Sequence, residues 1–287
     1  MTRGIDHLVL AVRDLDKARA FYEKLGFTLT PRAQHPWGTA NHLVQLNGCF
    51  LELLGVADPA KIPPHKPGEF SFGAHNRDFL ARREGMAMLV FQSHDARGDQ
   101  AEFAAAGLET YAPFDFGREA KLPDGGTARV AFSLAFVTDP RMPDSAFFTC
   151  QHHAPKYFWK CEYQAHANGA RTIAEVVMQA PDPPALADFF AKLQGAGSVR
   201  SDGSSLGVAT ARGCIAVVTP RTYAARFVYP SKPEAAAHFA AFRISGVDLD
   251  AMKKRLMSAQ ISHNTRRDAL YVPAPAAFGV SIEFTAG

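Results

Sequence analysis

The sequence predicts an α+β fold made of one β-α-β-β-β unit repeated four times. Three observations carry that expectation. Short runs of branched apolar residues read as buried strands, amphipathic segments ending near a glycine or alanine follow them, and the same order returns along the chain. In the first unit Ile5 to Val12 (IDHLVLAV) reads as a buried strand. Asp14 is placed to cap a helix, because its side chain can accept from the first free backbone N–H groups. Leu15, Ala18, Phe21, Tyr22 and Leu25 then recur at helical spacing, and Gly26 ends the helix. Phe27 to Thr30, His42 to Leu46 and Cys49 to Leu54 read as three strands, with Asn47-Gly48 as a tight turn between the last two.

The second unit has a strand at Met86 to Gln92, a helix at Asp95 to Ala106 closed by Gly107, and strands at Thr127 to Val137 and Ser145 to Gln151. The third opens at Thr172 to Gln179. Asp182 starts its helix with Pro183 and Pro184 in the first turn, where a missing N–H costs nothing. Strands near Ser198 to Arg200, Leu206 to Thr210 and Cys214 to Thr219 complete it. The fourth runs from a strand at His238 to Ser245, through a helix at Asp248 to Ala259, to strands near Leu270 to Val272 and Val280 to Thr285. Residues 57–82, rich in proline and glycine, read as a long insertion and a candidate lid. The stretch APKYFWKCEYQAHANG is aromatic, so it reads as a packed connector. The expected organisation is a first domain over 1–155, a connector over 156–169 and a second domain over 170–287.

Length agrees, since 287 residues suit about two domains. With 47% hydrophobic, 21% charged and 11% aromatic residues, the chain is no disordered polymer. It lacks an apolar run of about 18 residues, so no membrane span is expected. The start MTRGIDHLVLAVRDLD makes a poor signal peptide, because its apolar stretch is short and runs into Arg13, Asp14 and Asp16. A net charge of +3 without a dense Lys/Arg block disfavours nucleic acid. Cys49, Cys150, Cys161 and Cys214 are scattered, which suggests reduced thiols and a cytoplasmic setting.

Strand one IDHLVLAV, helix end FYEKLGF and strand four FLELLG together resemble the vicinal oxygen chelate superfamily. HPWGTANHLVQL followed by FLELLG is similar to its glyoxalase-like group. The resemblance implies that units pair into two cupped eight-stranded mixed sheets, a glyoxalase/dihydroxybiphenyl dioxygenase-like fold. It also implies one divalent metal ion, held by residues of first and fourth strands, and a substrate that chelates it through neighbouring oxygens. Its members do varied chemistry, so the fold alone does not give the reaction.

In a strand successive side chains alternate faces, so His7, Val9 and Ala11 share one face, and Phe50, Glu52 and Leu54 another. A carboxylate among Phe and Leu is expensive unless paired or bound to a cation. The family pattern places ligands at these two positions, so it implies His7 and Glu52. Glu52 paired with an arginine, and His7 bonded locally to Asp6, are the competing readings. In unit two the alignment puts Met88 opposite His7 and Cys150 opposite Glu52, with His152 two residues on. His152, His153 or Cys150 is then the candidate to complete the set, and a His7–Glu52–His152 set suits zinc, iron, manganese or nickel. Glu52 is a candidate ligand or catalytic base, and His35, in the loop HPWGT, is a candidate substrate contact or second acid/base group. In domain two Glu175 and Glu283 fall at ligand-like positions without a histidine. They are expected in ion pairs, with Arg243 a candidate partner.

The leading expectation is a metal-dependent enzyme of glyoxalase, lyase or isomerase type, acting on a small oxygen-rich molecule in the first cup. A non-catalytic binding protein is the alternative, motivated by 22 phenylalanines and Trp37. A metal-dependent dioxygenase is a further one, disfavoured because the needed histidine positions carry Glu175 and Ala241. A small-molecule partner and a possible homodimer complete the expectations.

Overall fold

A computed structural model describes residues 2–121, 126–227, 236–266 and 268–287. The first domain contains β1 (Ile5–Ala11), α1 (Leu15–Lys24), β2 (Ala33–Gln34), β3 (Thr39–Gln45), β4 (Phe50–Val56), α2 (Phe72–Arg82) and β5 (Gly85–Ser93). It continues with α3 (Ala96–Ala105), β6 (Glu109–Thr110), β7 (Phe114–Lys121), β8 (Thr127–Thr138) and β9 (Ala146–His152). The connector carries two single-turn helices, α4 (Pro155–Phe158) and α5 (Cys161–Gln164). The second domain holds β10 (Thr172–Gln179), α6 (Ala187–Gln194), β11 (Val199–Ser201), β12 (Ser205–Ala209), β13 (Cys214–Val218) and α7 (Pro220–Phe227). It ends with β14 (His238–Ser245), α8 (Leu249–Ser258), β15 (Asn264–Arg266), β16 (Ala269–Val272) and β17 (Ser281–Thr285).

Each domain forms one mixed sheet. The first has the order β2-β3-β4-β1-β5-β9-β8-β6, with β7 paired to β8, and the second β11-β12-β13-β10-β14-β17-β16-β15. Within each domain two units meet about a pseudo-twofold axis. In the first it passes through the Leu8–Leu89 pair, flanked by His7 opposite Val90 and Val9 opposite Met88. Three helices start where the sequence indicated, with the side chains of Asp14, Asp95 and Asp248 each accepting a backbone N–H of the first turn. Asp182 makes no such cap, and a 3-10 turn at Pro183–Leu186 precedes α6.

Alternation divides the core. Leu8, Leu10, Leu51 and Leu53 pack on the helix side, together with Ile173, Val176 and Met178 of domain two, in one continuous apolar cluster. Phe147 meets Phe189, Phe190 and Phe239 across that junction. The opposite faces, carrying Val9, Phe50, Leu54 and Phe148 in the first domain and Val177 and Tyr271 in the second, form separate clusters on the concave sides.

Several details depart from the sequence reading, the short strands β6 and β15 among them. Phe27 to Thr30 forms no strand; the chain pairs only at Ala33–Gln34. β7 was not anticipated, because FDFGREAK alternates apolar and polar residues for only its first half. α2 lies inside the expected irregular insertion, where Ser71 caps it through Ala74 N–H. α7 follows β13 and was not expected; it buries only Tyr223 and Phe227, one turn apart. No helix among the described residues is long and apolar enough to cross a membrane.

Candidate active site

β1 and β4 lie side by side and parallel, with His7 opposite Phe50 and Val9 opposite Glu52. Side chains two positions apart on a pleated strand share a face, so both His7 and Glu52 project into the cup. His7 Nε2 lies 3.8 Å from Glu52 Oε2. The His7 ring stacks on Phe50 with centroids 4.1 Å apart.

A bulge adds a third polar group. Ile5 pairs with Phe91 and His7 with Val90, so Asp6 is an extra residue on β1. Released from alternation, its carboxylate turns beside the His7 ring. His7 Nδ1 lies 2.6 Å from Asp6 Oδ1, and His152 Nε2 lies 3.3 Å from the same oxygen. Burial alone would raise the Asp6 carboxyl, but the hydrogen bonds and charges of His152 and His7 outweigh it and hold it at about 2. In a neutral His7 ring, an Nδ1–H donated to Asp6 would leave the Nε2 lone pair facing Glu52, ready for a metal ion.

β3 and its preceding loop close the other side. Asn41 Nδ2 donates to Glu52 Oε1 at 2.6 Å, and His35 Nε2 lies 3.9 Å from that oxygen. The His35 ring stacks on Trp37 at 4.7 Å, and its Nδ1 bonds the Thr39 hydroxyl at 2.8 Å. Gly38 makes this turn possible. Its φ of +82° suits glycine, and a Cβ there would lie 2.3 Å from the Asp58 carbonyl oxygen.

These groups line a cavity of about 50 Å³, room for a few water molecules. Phe72 of α2, Phe116 of β7, Phe132 of β8 and Phe158 of the connector wall it, so both stretches outside the repeat contribute to the site. Among the described residues, Asn41 Oδ1 and Trp37 Nε1 are buried without a hydrogen-bond partner.

The structure therefore brings His7, Glu52 and His35 together. His152 reaches Asp6 rather than Glu52, and its Nδ1 has no hydrogen-bond partner among the described residues. His153 is turned away, its Nε2 2.8 Å from the Ser133 hydroxyl. Cys150 lines the cavity, and burial together with the nearby Asp6 and Glu52 carboxylates pushes its thiol well up. The alignment of Cys150 with Glu52 needs correction. Met88 takes the place of His7, as expected, but the parallel register pairs Met88 with Ala146, as His7 pairs with Phe50. Phe148 then occupies the place of Glu52, and Cys150 lies two residues beyond it. Asn41 was overlooked, although Thr39, Asn41, Leu43 and Gln45 alternate and would have shown a polar group on the cup face.

The second cup answers the same charge problem differently. Arg226 of α7 bonds both Glu175 and Glu283. Arg243 lies 2.9 Å from Glu175 Oε2 and 3.2 Å from Glu283 Oε2, so the expected ion pairs form. In the first cup Asp6 and Glu52, 2% and 6% exposed, have only histidines as charged partners among the described residues. Buried carboxylates without a matched cation are costly, so His7 and Glu52 fit a divalent ion, whose charge would replace that of the missing arginine.

Two paired β-α-β-β-β cups define a protein of the vicinal oxygen chelate class. The chain belongs to the glyoxalase-like domain family, which matches residues 5–194. No curated protein is significantly similar to it in sequence. A hypothetical protein from Staphylococcus aureus has a similar structure, with TM-score 0.66, 14% identity and 98% of each chain covered. A mutant 4-hydroxymandelate synthase from Streptomyces coelicolor matches with TM-score 0.56 and 11% identity, over 99% of this chain and 92% of that one. A mutant homoprotocatechuate 2,3-dioxygenase from Brevibacterium fuscum matches with TM-score 0.56 and 13% identity, over 100% of this chain and 72% of that one. At such identities these structures share the fold.

Proposed function

We propose that the first cup is the active site of a metal-dependent enzyme of glyoxalase type, a lyase or isomerase acting on a small molecule with adjacent oxygens. The observation that carries this reading is the unmatched pair of buried carboxylates in the first cup, set against the arginine-matched pair in the second. His7 Nε2 and Glu52 would hold the ion, and His152, the expected third ligand, stands behind Asp6. When bound, a divalent ion supplies Lewis acidity toward a carbonyl or enediolate oxygen. Asp6 keeps the His7 ring in one tautomer, and Asn41 fixes the Glu52 carboxylate by donating to Oε1. His35 Nε2 faces the same carboxylate and can hold or pass a proton at the carbon next to the substrate carbonyl. The aromatic walls favour a flat or apolar substrate body.

The test is metal analysis of protein purified without chelator. His7→Ala and Glu52→Gln should each lose one divalent ion per chain, together with the melting-temperature increment that the ion confers. Unchanged metal content and stability in both variants would remove the assignment. Bound metal with no turnover of any 2-oxo aldehyde adduct or hydroxy-ketone would favour sequestration of an apolar ligand instead.

A further inference from the structure

Asp6, Cys150 and His152 form the one set of three metal-ligating side chains among the described residues whose donor atoms all lie within 4.8 Å of one another. The set differs from His7 and Glu52 in chemistry and in origin. It combines a thiol sulfur, an imidazole nitrogen and a carboxylate oxygen, whereas the other pair offers nitrogen and oxygen. Two of its members come from β9, where Cys150 and His152, two residues apart, share a face. The third reaches them only because the bulge turns Asp6 out of the β1 alternation.

The geometry points to a second metal site, one for a thiophilic divalent ion such as zinc, held by Asp6, Cys150 and His152 beside the His7–Glu52 pair. His152 Nε2 lies 3.3 Å from both Asp6 oxygens. That spacing equals a tetrahedral edge for metal bonds of about 2.0 Å, which subtend roughly 3.3 Å. Asp6 Oδ1 also receives His7 Nδ1, so one carboxylate would serve as ligand in this site and as orienting group for the His7 ring in the other. The surroundings are dry: Asp6 is 2% and Cys150 3% exposed, and the rings of Phe132, Phe158 and Trp159 pack around His152. The sulfur donor selects against magnesium, calcium and manganese and toward zinc, cobalt or cadmium. On binding, the metal–sulfur bond forms as the thiol proton leaves for the buffer.

The experiment uses the full chain, stripped with chelator and titrated with cobalt chloride. A thiolate-to-cobalt charge-transfer band in the near ultraviolet is expected, with one proton released per ion as the band grows. Cys150→Ser should abolish the band and His152→Ala should weaken cobalt binding at least tenfold, while Glu52→Gln should leave the band in place. X-ray absorption of zinc-loaded wild-type chain gives a readout that needs no variant, namely one sulfur neighbour at about 2.3 Å per zinc at this site. A wild-type titration without the band, a band that survives Cys150→Ser, or zinc with only nitrogen and oxygen neighbours overturns the proposal. Loss of the band in Glu52→Gln also overturns it, because a single shared site would then hold the ion. The His7–Glu52 reading fails separately, through the metal content of His7→Ala.

Discussion

Glu52 is a carboxylate that β4 buries on the cup face beside Phe50 and Leu54, and that placement sets what its replacement does. Gln keeps the shape and an oxygen for Asn41 Nδ2 but removes the charge. In chelator-treated protein Glu52→Gln should leave the melting temperature unchanged or raise it, because an unmatched buried charge has gone. With divalent metal present the wild type should gain more in melting temperature than the variant, which lacks the ion held by His7 and Glu52. Calorimetry with and without chelator checks this; an equal fall under both conditions would make Glu52 a structural residue. His75 offers a second test. Its Nε2 is buried without a hydrogen-bond partner among the described residues, and burial pulls its pKa from 6.5 down to about 4. Below pH 6.5 the unfolded chain takes up this proton while the folded chain does not, until about pH 4. The stabilisation is therefore complete above 6.5 and falls away between 6.5 and 4, by about 3 kcal/mol at most. His75→Gln should flatten the difference between urea midpoints at pH 7 and pH 4.5. A variant with the wild-type slope would place the titration elsewhere.

At the scale of elements, much of the site was legible where alternation and spacing are strong. IDHLVLAV and FLELLG put His7 and Glu52 on one face because a strand has period two, and β1 and β4 are neighbours in the repeating unit. What the sequence did not show arises where the chain leaves that periodicity. The bulge at Asp6 breaks alternation at one residue, and nothing in the letters IDH marks it. α2 and β7 supply Phe72 and Phe116 from segments whose own patterns are weak, so their packing on the cup decides their structure. The Gly38 turn is the opposite case, a local signal with a structural cause. Gly38 O accepts from both Ala57 and Asp58 N–H groups at 2.9 Å, which ties the His35–Trp37 loop to the start of the insertion. Gly38→Ala must relieve both a positive φ and a contact of 2.3 Å with backbone, so a loss of at least about 1–3 kcal/mol is expected. The same change should alter Trp37 fluorescence and weaken metal-dependent activity, because His35 shares the loop. Unaltered urea midpoint and fluorescence would show that the loop relaxes freely.

For the whole molecule the deciding feature is the apolar cluster shared by the helix sides of both sheets. Gly279 marks how closely the domains approach, since a Cβ there would stand 2.1 Å from the Glu84 carbonyl oxygen. Damage to one cup should then be felt in the other. Arg226 is the cation of the second cup, and Arg226→Met leaves Glu175 and Glu283 to share Arg243. Breaking a buried pair by removing one partner costs roughly 3–5 kcal/mol; with the Arg226 side chain 23% exposed, solvent should hold the loss toward the lower end. Both tryptophans, Trp37 and Trp159, belong to the first cup and its connector wall, so their fluorescence reports on domain one alone. If the shared core makes the chain one cooperative unit, Arg226→Met should lower the fluorescence and calorimetric midpoints together and leave the metal content of the first cup unchanged. A fluorescence transition at the wild-type temperature, beside a new and earlier calorimetric peak, would show two domains that unfold independently.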